Sequence, residues 1–268
     1  MNIQINNRQS TIGNRQSESG FSLTEVLIAI GLLAVGMLFV AGAFPVSIHF
    51  TAVATERTIA PIVADEAFAK LRIYFNDSNL NGLSNTSQGI AIGIPAAEFA
   101  YPSTPIPANE VYSKKYWWYP LFRRTNLTGN DVQVTIFVSR KVGMASQYLT
   151  DVNPTYPDYY DANRPDAIAV GVSGPVGGYE LTIDTSINAS AKTYISDGCT
   201  IVDDATGQIY RVLERYLPPN DNVIKLDRPW RPDLTPPQNA ADNVWVVPPP
   251  VNSGRYPCIG VYQKVISF

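Results

Sequence analysis

Glu25 stands at the head of the one long apolar run in the chain, GFSLTEVLIAIGLLAVGMLFVAGAFPV over residues 20–46, and no charge follows it from Val26 to Val46. A helical run of about 20 apolar residues matches the thickness of the hydrocarbon core of a bilayer. A carboxylate at its start costs several kcal/mol in lipid, so it needs a cationic partner. Chemistry elsewhere is sparse. The only histidine, His49, lies at the outer edge of the span, which leaves no catalytic triad and no histidine-rich zinc site. The glycine-rich stretch GVSGPVGG over Gly171–Gly178 lacks the lysine and the strand-helix context of a phosphate-cradling loop. Asp151, Asp158, Asp161 and Asp166 are the ligand type of a hard cation such as calcium, but their spacing is not that of a calcium loop, and a solvated acidic loop is the better reading. Cys199 and Cys258 are the only cysteines. A bond between them would close a loop of about 60 residues and stabilise by roughly 3 to 4 kcal/mol on chain-entropy arithmetic. Two buried thiols are the alternative, because spacing does not bring their Cα atoms together. No enzymatic centre, cofactor or metal is expected.

Gly20-Phe21-Ser22-Leu23-Thr24-Glu25, directly before the apolar run, resembles the class III signal of type IV pilins and type II secretion pseudopilins. The resemblance implies that prepilin peptidase cuts between Gly20 and Phe21, that the new N-terminus at Phe21 is N-methylated, and that Glu25, then the fifth mature residue, serves subunit docking. One departure concerns the proline that many members carry at the twenty-second mature position: this chain has Gly42 there and its proline at Pro45, which leaves the place of any kink open. The physical reason for the motif follows from cleavage. The cut exposes an ammonium at Phe21, and a neighbouring helix with a small axial offset brings that ammonium to the carboxylate of Glu25. Charge neutralisation in a low dielectric then favours the assembled state over the lone one. Many pilins have a disulfide near the C-terminus, which favours the Cys199–Cys258 pair by resemblance alone.

The elements that position these groups are read in chain order. Residues 1–20 are polar, with Arg8 and Arg15 as their only basic side chains. Positive charge before an apolar span holds that end in the cytoplasm, so this segment is a leader. Residues 21–46 form the transmembrane helix. Helical periodicity continues through residues 47–79 in Ile59, Ile62 or Val63, Ala67, Leu71 and Tyr74, with Glu66 and Lys70 as an i,i+4 pair. Pro61 predicts a bend or a local opening, because it cannot donate to the preceding turn. Asn76-Asp77-Ser78-Asn79 ends the helix. From Phe21 to Phe75 a helix is a rod of about 80 Å, longer than an anchor requires, and its outer half has an apolar face that must be covered.

Residues 80–166 read as a sheet with loops. The stretch over 80–114 is an irregular connection, and Lys115-Tyr116-Trp117-Trp118-Tyr119 supplies rings that pack a sheet on the long helix, with ligand stacking as the other use of such rings. Val132, Val134, Ile136 and Val138 alternate with Gln133, Thr135, Phe137 and Ser139 as the clearest strand. YLTDVNPTYPDYYDANRP over 148–165 reads as a surface loop. Residues 167–268 form a β-rich region with strands at 200–203, 208–213, 223–226, 244–247 and 260–266, a set able to curl into a small barrel or sandwich.

The fold class expected is α+β: by resemblance a pilin-like lollipop, with a long N-terminal helix on an antiparallel sheet and a β-rich C-terminal subdomain. The resemblance implies a structural subunit of a type IV pilus-like or pseudopilus filament, and the size of residues 47–268 points to a minor one. Its implied partners are prepilin peptidase, other pilin or pseudopilin subunits, an assembly-platform membrane protein and inner-membrane lipid. It would cross the bacterial inner membrane once, N-terminus cytoplasmic and C-terminal part periplasmic, before joining a filament. A membrane-anchored ligand-binding or adhesion module on a pilin-type anchor is the alternative. Formal net charge is −3. Loss of Arg8, Arg15 and Glu18 with the leader makes it −4, which does not point to nucleic acid.

Overall fold

The computed structural model describes residues 20–89, 94–103, 114–125, 129–143, 146–149, 160–162, 164–186, 189–231, 239–250 and 256–268. The leader 1–19 lies outside the described residues, as do Asp151 and Asp158 and the side chain of Asp161. Helix α1 spans Leu23–Tyr74 and continues without interruption through Pro45 and Pro61. The chain divides into two compact units, Met1–Val53 and Ala54–Phe268.

Within the second unit α1 buries Ala60, Val63, Ala64, Ala67, Phe68 and Leu71 at the three- and four-residue spacing of one helical face. This burial explains why the helix does not open at Pro61. An interior proline costs about 3 kcal/mol or more, and burying Val63, Phe68 and Leu71 around it returns about 1.5 to 3 kcal/mol for each side chain. The cluster Asn76–Asn79 caps a further short helix, α2 (Asp77–Asn81), where the Asn76 side chain accepts from the Asn79 amide and the Asn79 side chain accepts from that of Asn76.

The buried face of α1 meets an antiparallel sheet of β1 (Ala100–Tyr101), β2 (Tyr116–Arg124), β3 (Asp131–Arg140) and β12 (Cys258–Ser267), in that order. Val132, Val134, Ile136 and Val138 are fully buried beneath the helix, joined by Tyr116, Trp118 and Phe122. The period-2 pattern of β3 and the aromatic run of β2 therefore have the packing role their sequence predicts. The connection over 80–114 is more than an irregular cover: it contributes β1, and Gln88 bridges to Phe122. Three ion pairs tie the helix to its surroundings, and a fourth, Glu66 with Lys70, lies within it. Arg140 pairs with Glu56, Lys264 Nζ lies 2.7 Å from Asp65, and Lys70 Nζ lies 2.8 Å from Glu66 and 3.0 Å from Glu98.

The stretch over 148–165 is anchored at both ends, where β4 (Tyr148–Leu149) pairs with β5 (Tyr160–Ala162). Tyr148 and Leu149 are buried, so the expectation of a surface loop fails for its first residues. Both are large apolar-bodied side chains, and burial recovers more than exposure would.

Six strands then close into an antiparallel barrel: β6 (Ile168–Pro175), β7 (Glu180–Ile183), β8 (Thr200–Asp203), β9 (Ile209–Arg215), β10 (Val223–Leu226) and β11 (Asn239–Val246), in the order β10-β7-β6-β11-β8-β9. Val172, Leu181, Ile201, Val212, Ile224 and Trp230 are among its inward residues. The strand at 260–266, expected to complete this set, does not. It lies within β12, which pairs with β3 from Cys258↔Ser139 to Ser267↔Asp131, and its Ile266 joins the core under α1. The barrel is thus an insertion between two neighbouring strands of the first sheet.

The barrel packs on the sheet through Leu121 and Phe137 from the sheet with Val202, Trp245 and Val247. These sheet positions alternate with those facing the helix. Gly207 sits at φ 70°, and a Cβ there would meet Gln133 Oε1 at 2.7 Å, so both its conformation and its space call for glycine. Its carbonyl accepts from Gln263 Nε2 at 2.5 Å, and Arg123 Nη1 donates to Ala205 O at 3.1 Å. Beside this seam Arg231, at φ 45°, donates from Nε to the fully buried Asp203 at 2.8 Å and also pairs with Asp242. Burial works against the Arg231 charge, but the bonds to Asp203 and Asp242 outweigh it and raise its pKa further. Losing Arg231 would strand the buried Asp203 charge at about 3 to 5 kcal/mol.

Glu66 yields a pH test of the helix contact. Burial pushes its carboxyl up, but hydrogen bonds from Lys70 and Ser103 win and hold it below the ordinary 4.5. The folded state therefore binds its proton less tightly than the unfolded state, so this stabilisation is present above about pH 4.5 and fades as pH falls through the lowered value. Glu66→Gln should cost about 1 kcal/mol at pH 7 by denaturant unfolding, and the gap from wild type should shrink below about pH 4.5. A gap constant from pH 7 to pH 3 would refute the assignment.

Candidate functional site

The N-terminal site is built by the start of α1. Gly20, Phe21 and Ser22 precede the helix, and Phe21 is 83% exposed. Ser22 caps it: its Oγ accepts from the Glu25 amide at 3.3 Å and its carbonyl accepts from the Val26 amide at 3.2 Å. Glu25 falls in the first turn, where a carboxylate is favoured by the unpaired amides and the helix dipole. The Ser22-Leu23-Thr24-Glu25 spacing is that of a capping box, a signal for the helix start that the resemblance alone does not use.

The apolar stretch that follows is not buried. Leu27, Leu32, Met37, Leu38, Phe39 and Phe44 are each more than 60% exposed. By length and composition α1 can cross a membrane, and none of its most apolar window is buried. A contiguous exposed apolar surface of this kind calls for lipid or another protein. Gly31, Gly36 and Gly42 have nothing within 4 Å of where a Cβ would stand. No packing within the described chain therefore asks for glycine there, whereas close approach of a second helix would. His49 lies on this helix with its ring edge-on to Phe50.

The site thus combines a carboxylate in the first turn with an uncovered helix long enough to cross a membrane. The prokaryotic N-terminal methylation motif matches residues 15–41, which is the signature of type IV pilin and pseudopilin precursors. The match covers Gly20, Phe21 and Glu25, and with the apolar helix it indicates anchoring in the inner membrane. No curated protein and no solved structure matches the chain.

The other predicted residues lie in the second unit. Cys199 and Cys258 are free thiols in the structure, Cys199 buried and Cys258 half-buried, so the expected disulfide is not formed there. They lie in one region nonetheless: the Tyr256 hydroxyl donates to Thr200 O, next to Cys199, at 3.4 Å, and a charge on Cys199 would raise the pKa of Cys258. Asp166 is buried against Arg164, whose Nε lies 3.0 Å from its carboxylate, and burial raises its pKa. Among the described residues no group of three His, Cys, Asp or Glu side chains is placed to hold a metal ion. The sequence reading missed a polar trough on the barrel wall around Gly171, since its residues come from four strands or strand ends with no common spacing.

Burial pushes both thiols up to about 12, which predicts slow alkylation of the reduced folded protein. At pH 8, iodoacetamide should label neither cysteine within the time that labels both in denaturant, as read by mass spectrometry. Rapid labelling of Cys199 in the folded state would contradict its burial.

Proposed function

We propose that this chain is the precursor of a filament subunit, cut by prepilin peptidase after Gly20, N-methylated at Phe21 and assembled through the helix of residues 21–46 into a type IV pilus-like or pseudopilus fibre. The single observation that carries this reading is a membrane-length apolar helix left exposed along its whole first half, with Glu25 in its first turn. Lipid covers the apolar surface before assembly, and neighbouring helices cover it afterwards. Glu25 is what makes the second state preferable, because a lone carboxylate near lipid costs several kcal/mol and an adjacent Phe21 ammonium removes that cost. The partners in this reading are the peptidase, other pilin or pseudopilin subunits, an assembly-platform membrane protein and inner-membrane lipid. The leader stays cytoplasmic, and residues 47–268 are periplasmic until the fibre forms. The family carrying this motif is structural, and no enzymatic role is proposed.

The inserted barrel supports a minor rather than an abundant role, because a fibre of many copies would carry a second domain on every subunit. In the oxidising periplasm, Cys199 and Cys258 would pair and tie the residue before β8 to the first residue of β12. A second reading, a ligand-binding module on a pilin-type anchor, is favoured by one observation: the barrel carries a polar trough that the filament role does not use.

N-terminal sequencing of the mature protein from cells should begin at N-methylated Phe21, and persistence of Met1 in the membrane form would count against processing. Glu25→Ala should leave cleavage intact while lowering incorporation into sheared filaments by about tenfold or more, the equivalent of about 1.4 kcal/mol per subunit addition. Unchanged incorporation would remove Glu25 from docking.

A further inference from the structure

We infer that the outer wall of the barrel carries a binding site for an uncharged saccharide, centred on Gly171 between Asp184 and Asn243. The inference rests on the second reading above and gives that module its ligand class. The trough crosses β6, β7 and β11 and reaches the start of β10, with a volume of about 710 Å³, inside the range of small-ligand sites. Its depth comes from the missing side chain at Gly171. A Cβ there would stand 3.2 Å from Asp184 Cβ, 3.7 Å from Asp184 Oδ2 and 3.9 Å from Asn243 Oδ1. Two side-chain oxygens therefore converge over bare backbone, in a space that any larger residue would fill.

The side chains around it are matched to hydroxyl groups. Ser173 and Ser186 bring hydroxyls, Asn222 and Asn243 bring amides that both donate and accept, and Asp184 brings a carboxylate. Asp184 is held in place by the Ser186 amide, which donates to its Oδ1 at 2.8 Å and leaves Oδ2 on the Gly171 side. Hydrogen bonds from the Ser186 side chain and amide keep its carboxyl below the usual range, so it is an acceptor at neutral pH. Asp242 also lines the trough, with its charge answered by Arg231. The described lining residues include no Lys, Arg or His, so an anionic ligand would meet only repulsion. They include no aromatic ring either, so a sugar would be held by its hydroxyl edges. Single-site affinity should accordingly be weak, on the order of 1 mM.

The test uses the full chain in zwitterionic micelles free of sugar headgroups, titrated by saturation-transfer NMR with glucose, galactose, mannose, N-acetylglucosamine, lactose, sialyllactose and trilysine. At least one uncharged saccharide should bind with Kd on the order of 1 mM, and sialyllactose should bind no better than lactose. Asn243→Ala, at an exposed side chain, should weaken binding by about fivefold or more with an unchanged thermal transition, and Gly171→Leu should abolish it. Failure of every uncharged saccharide at about 50 mM, or equal binding in wild type and Asn243→Ala, would overturn the site. Binding of trilysine alone would overturn the saccharide class while sparing the module reading, and binding of nothing would count against both.

Discussion

One helix faces two environments, and this constraint organises the molecule. Before Val53 the side chains of α1 are large, apolar and exposed; after Ala60 one face is small, apolar and fully buried. Ala60, Ala64 and Ala67 let the backbone lie close to the valines of β3, while Phe68 and Leu71 fill the remaining depth. The first half has no such partner and gains stability only from lipid or from other helices. A single element can serve both because helix formation satisfies its backbone groups wherever it lies.

The sheet that covers the second half is closed by β12, although residues 141–257 lie between that strand and its partner β3. Such an insertion is tolerated because loop-closure entropy grows only slowly with length and because a closed barrel leaves no open edges of its own. The seam between barrel and sheet is specific rather than merely apolar. Trp245 Nε1 donates to Ser87 O at 3.1 Å and to Asp204 at 2.8 Å, and Gly207 lets the turn lie on β3. The fully buried Asp203 tightens this region at a cost, since it is tolerable only with Arg231 in place.

The barrel and the N-terminal helix address different chemistry. The helix carries one carboxylate at the head of its apolar run, and in lipid such a group would need a cation. The barrel wall offers hydroxyls, amides and Asp184 to water, where each contact is worth little and only several together discriminate a ligand.

Local order was legible in the sequence by itself. Gly20, Phe21 and Glu25 before an uncharged run pointed to the methylation motif that matches residues 15–41, the alternation over Val132–Val138 identified a strand and its buried face, and Glu66 with Lys70 identified a helical pair. Each rests on neighbours within a few residues, where spacing alone determines which side chains share a face. Only the tertiary structure decided that α1 stays continuous at Pro61, that β12 returns to β3 instead of joining the barrel, that Arg231 reaches Asp203, and that Gly171, Asp184 and Asn243 surround one trough. Periodicity reports which face of a strand is buried but not which partner buries it. Partners far apart in sequence are chosen by the packing and charge neutralisation of the whole fold.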